Sequence, residues 1–109
     1  MPNTFKSNFN KDVGTSPATI YTCPSSTQTT LIGLSVANTS ASPITTDVYI
    51  TRSAVNFYLI EAAVVPVGGS LVIVGGDQKV VLQPSDVLVA LTSAASSADV
   101  VASYLEITP

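Results

Sequence analysis

Apolar and polar residues alternate with a period of two along much of this chain, the mark of strands with one buried face. Ile44–Arg52 shows it most plainly: Ile44, Thr46, Val48 and Ile50 fall on one face, and Thr45, Asp47, Tyr49 and Thr51 on the other. That pattern predicts a half-solvated antiparallel strand. Thr29–Asn38 is predicted as a long strand, with Ile32, Leu34 and Val36 on one side and Leu31, Gly33, Ser35 and Ala37 on the other. Val55–Glu61 sets Val55, Phe57 and Leu59 against Asn56, Tyr58 and Ile60. A helix from Ser53 to Val64 is the rival there, and the valines and aromatic residues favour the strand. Ala18–Thr22, between Pro17 and Pro24, reads as an edge strand, where proline is tolerated.

The stretch around which the rest is organised is Pro66–Asp86, which reads as turn, strand, turn, strand, turn. Gly68-Gly69 opens it, Leu71–Val74 is apolar, and Gly75-Gly76-Asp77 is expected to turn the chain with positive φ at a glycine. Lys79–Leu82 is a second short strand, and Pro84-Ser85-Asp86 turns the chain again. Val87–Leu91 and Asp99–Ile107 complete the set. Seven or eight strands with turns between them predict an all-β fold: a single antiparallel β-sandwich over residues 17–109, either a jelly roll or an Ig-like Greek key.

Residues 1–16 differ from the rest. They are polar, hold Lys6 and Lys11, and carry isolated Phe5 and Phe9 with no sustained period. One reading is a frayed terminus. The other is an N-terminal arm whose phenylalanines dock on a neighbour while the two lysines meet its acidic groups. Phe5, Lys6, Phe9 and Lys11 are thus the candidate partner-binding residues, and the sandwich is expected to fold without the arm.

Composition narrows the function. Charged residues are 10% of the chain against roughly 25% in an average soluble domain, so Ser and Thr, or a partner, must cover much of the surface. The net charge is −3 and the four cations are scattered, which argues against nucleic-acid binding. Neither a signal peptide nor a membrane span is expected, since the apolar run Phe57–Val67 is broken by Glu61 and Pro66. With no histidine, the commonest general base and metal ligand are missing. Cys23 is the lone cysteine and reads as a small buried side chain. Gly69-Ser70 lacks the frame of a nucleophile elbow. Of the acids Asp12, Asp47, Glu61, Asp77, Asp86, Asp99 and Glu106, the three at turns or strand edges, Asp77, Asp86 and Asp99, read as structural aspartates bonding their own backbone; a Ca²⁺ site at Gly76-Asp77 is the weaker alternative. Asn38-Thr39-Ser40 matches a glycosylation sequon by chance. No catalytic residue, metal site or cofactor is expected.

Gly33–Asn38, Asp47–Arg52, Val67–Leu71, Gln78–Leu82 with Asp86, and Ser103–Ile107 together resemble small virion proteins of tailed bacteriophages, cyanophages among them. Such families carry glycine ahead of the aspartate where this chain has Ser85. The resemblance implies a non-enzymatic virion protein, foremost a capsid decoration or cement protein, assembled in the host cytoplasm. The alternatives are a neck, tail or fibre accessory protein and, from another class, a carbohydrate-binding module. The partners it implies are the major capsid protein or another virion protein. Self-association is also expected, since so little charge discourages it, and a homotrimer follows by analogy with trimeric decoration proteins.

Overall fold

The computed structural model describes residues 3–75 and 79–108. Nine strands and no helix are present among them: β1 (Asn3–Val13), β2 (Ala18–Thr22), β3 (Gln28–Asn38), β4 (Ile44–Arg52), β5 (Val55–Val65), β6 (Ser70–Val74), β7 (Val80–Leu82), β8 (Val87–Thr92) and β9 (Ala98–Ile107). They form two antiparallel sheets. The first runs β1-β9-β3-β6, with β7 also on β3, and the second runs β2-β8-β4-β5.

Apart from the short β7, the pairings are nested: β1 with β9, β2 with β8, β3 with β6, and β4 with β5. One long hairpin wraps into two facing sheets, which makes the sandwich a jelly roll and not an Ig-like key. The expected alternation builds the core. Leu31, Leu34 and Val36 of β3, Val48 and Ile50 of β4, Leu88 and Ala90 of β8, and Val100 and Ala102 of β9 close against one another between the sheets.

Three details depart from expectation. The segment read as having no strand period carries β1, paired with β9 from Asn3↔Ile107 to Val13↔Ala98, which raises the strand count to nine. Its inward positions are polar because they meet polar partners, so no apolar alternation marks it. In β3 the register shifts between Leu31 and Gly33, so Leu31 is buried and Ile32 only half-buried. Gly75 does not have positive φ. Gly68 does, at +70°, in the turn closed by Gly69 N–H donating to Pro66 O at 3.0 Å. Gly76 and Asp77, with the turn expected there and the alternative of a Ca²⁺ site, lie outside the described residues. Val55–Val65 is a strand throughout, which excludes the rival helix.

Candidate interaction surface

Four of the carboxylates, those of Asp47, Asp86, Asp99 and Glu106, are tied into the framework. Asp86, almost fully buried, accepts both Nε and a terminal nitrogen of Arg52 and the backbone N–H of Gln83. The guanidinium holds its carboxyl below the usual range against the opposing effect of burial. Glu106 accepts the Tyr21 hydroxyl and sits 2.9 Å from the Lys6 ammonium. These donors lower its pKa, the tyrosine bond first. Burial pushes the Tyr21 hydroxyl far up, and Thr29 bonds its oxygen at 2.7 Å. Asp99 accepts from Asp12 N–H at 3.1 Å and faces Lys11 at 3.6 Å, and Asp47 accepts from Ala62 N–H at 2.6 Å. Among the described residues, no group of three His, Cys, Asp or Glu could hold a metal ion. Buried Cys23 sits 3.3 Å from Thr27 O, as a small core side chain. Asn38 is buried too, its Nδ2 donating to Ser42 O and Val65 O, so the sequon has no free amide.

The sequence-predicted partner residues separate by face. Lys6 and Lys11 pair within the chain, with Glu106 and Asp99. Phe5 and Phe9 stand two positions either side of Ser7 on the outer face of β1, each 75% exposed. Cross-strand register shows what surrounds them. One row runs Phe9, Val101, Ser35, Val72 across β1, β9, β3 and β6. A second runs Phe5, Leu105, Thr30, Val81 onto β7, and between them lie Ser7, Ser103 and Gly33.

The outer face of this sheet is therefore two apolar ridges flanking a trough of small residues. The trough opens into a groove of about 330 Å³ bordered by Phe5, Lys6, Ser7, Ile32, Ser103 and Tyr104. No row contains a charged residue. Val72, Val81 and Val101 are exposed with the two phenylalanines. The sequence signalled only the phenylalanines; Val72 and Val81 join them through strand pairing that no local pattern shows.

Fold and surface together define a jelly-roll module with a broad uncharged face. A solved chain from Bacillus endospore appendages, described as a novel family of disulfide-linked pili, is similar to it at a TM-score of 0.58 and 17% identity, over 97% of this chain and 88% of that one. At that identity the likeness is one of fold. No protein-family profile matches the chain, and no curated protein does.

Proposed function

We propose that this chain is a non-enzymatic structural subunit of a multi-copy protein assembly, and within that class a bacteriophage virion protein that decorates the capsid. The observation that carries the reading is the uncharged ridged face around Phe5 and Phe9. Exposed phenylalanines this close to valines on one sheet face form a patch of the kind that marks protein–protein contact. Asp47, Asp86 and Glu106 are bonded to arginine, lysine, tyrosine or backbone and are not free for catalysis. The fold's likeness to a pilus protein fits a building-block role. The mode of linkage in those pili does not transfer: a disulfide-joined polymer needs at least two cysteines per chain, one toward each neighbour, and this chain has one, buried.

The partners are other copies of the chain and the major capsid protein or another virion protein, and the site of action is the virion. Quantitative mass spectrometry of density-purified virions tests this. A copy number comparable with that of the major capsid protein is expected. A few copies per particle would move the protein to the neck, tail or fibre, and absence from particles would refute a virion role.

A further inference from the structure

We infer that the ridged face of the first sheet is a self-docking surface, through which two copies of this chain pack face to face about a two-fold axis. The inference rests on the reading of the chain as a multi-copy structural subunit and names the occupant of its exposed face.

Charge selects that occupant first. The chain carries −3 and repels its own copies, so self-contact favours a face free of charge. The three rows around Ser7 provide one. Lys6, which borders the groove, has its ammonium on Glu106, and Lys11 and Asp99 face each other at the end of the sheet. The second sheet also exposes apolar side chains, Val55, Phe57, Tyr58 and Val64 of β5, but there they stand among the charges of Asp47, Arg52 and Glu61 on β4 and β5.

Shape selects it next. Successive rows on one face of a strand lie about 6.7 Å apart. A two-fold axis running across the strands, midway between the trough and one ridge, exchanges those two rows. Phe9 and Val101 of each copy then enter the partner's trough of Ser7, Ser103 and Gly33, and both contacts form at once. The same operation about the other ridge seats Phe5 and Leu105. Small residues opposite large ones are what interdigitation of packed sheets requires. Area agrees as well. Three strands of 10 or 11 residues, with β6 and β7 sharing the fourth place, give a face of about 600 Å² at a strand spacing of about 4.8 Å, the lower end of what each partner contributes to a stable interface.

The experiment is sedimentation velocity on the full chain from about 1 to 100 µM, the upper end favouring the pair for an interface of this size. A species of twice the 11.2 kDa chain mass is expected. Phe9→Ser with Phe5→Ser, and separately Ser7→Glu, should each weaken association at least 100-fold while leaving the melting temperature nearly unchanged, because all three side chains are exposed. Radical footprinting of the unaltered protein supplies a readout that needs no variant: Phe5 and Phe9 should be protected at 100 µM and oxidised at 1 µM. A monomer throughout, a trimer, or a dimer indifferent to these substitutions would overturn the inference. The outcome is separable from virion membership. A protein absent from particles can still dimerise through this face, and a virion protein that stays monomeric would direct the face to a different shell protein.

Discussion

Turns in this chain place ordinary residues where glycine would be easier. Ser53 and Ala54 have φ of 53° and 64° in the two-residue link between β4 and β5, and Ser85 has φ of 74° in the turn Gln83–Asp86. Left-handed geometry costs an L-residue about 1–2 kcal/mol, and hairpins of this kind favour Asn-Gly. Ser53→Asn with Ala54→Gly, and separately Ser85→Gly, should each stabilise the fold by about 1 kcal/mol, seen as a rise of about 4–8 °C in Tm. The chain's turns were legible as places, from Pro84-Ser85-Asp86 and the break after Arg52. Their dihedral angles were not, because tertiary contacts impose positive φ on residues whose own preference is against it. Asp86 illustrates the same point. It reads as a turn aspartate and does bond Gln83, yet its main partner Arg52 lies 34 positions away. Asp86→Asn should cost about 1–3 kcal/mol by weakening that buried charge-assisted set, measured by urea unfolding.

The same residues set the response to acid. Asp86 and Glu106 both have lowered pKa values in the fold. A carboxylate held below its unfolded value stabilises the native state above that value, and the contribution disappears as pH falls through the depressed one. Tm should therefore hold between about pH 5 and 8 and drop steeply below about pH 4. In Glu106→Gln the drop should be shallower; an unchanged slope would show that the Tyr21–Glu106–Lys6 cluster contributes nothing to acid unfolding.

At the scale of elements, β1 is the strand that sequence patterning could not reveal. Strand prediction looks for an apolar face toward the core, and β1 contributes only Val13 to it. Its other inward positions are served by polar partners: Lys6 by Glu106, and Asn8 by Tyr104 hydroxyl and Ile20 O. Charges and amides on the inner side of an edge strand also blunt it against unplanned pairing. The strand β5 at an edge of the other sheet uses a different device, two register shifts against β4, one of them braced by Asp47 on Ala62 N–H. By contrast β3, β4, β8 and β9 were legible because one side of each faces the core. The ridged face escaped detection since its rows join residues about a hundred positions apart, such as Phe5 and Leu105. A variant lacking residues 2–12 but keeping Val13 should still unfold cooperatively, with Tm lowered by about 5–15 °C for the loss of one edge ladder. A broad, non-cooperative melt would show that β1 is needed for the sandwich to form.

For the whole molecule, the nested pairing has a consequence in time. The last strand, β9, is central in its sheet: it lies between β1 and β3 and hydrogen-bonds to both. Until it emerges from the ribosome, β1 and β3 have no strand to join them, and the first sheet cannot assemble from the residues already made. Folding must therefore follow synthesis of β9, not accompany the growing chain. Closing contacts between positions this distant pays its loop entropy before any reward, which places refolding of such β-folds in the millisecond-to-second range. Nascent chains arrested before Asp99 should remain fully sensitive to protease, and protection should appear in one step once β9 has cleared the exit tunnel.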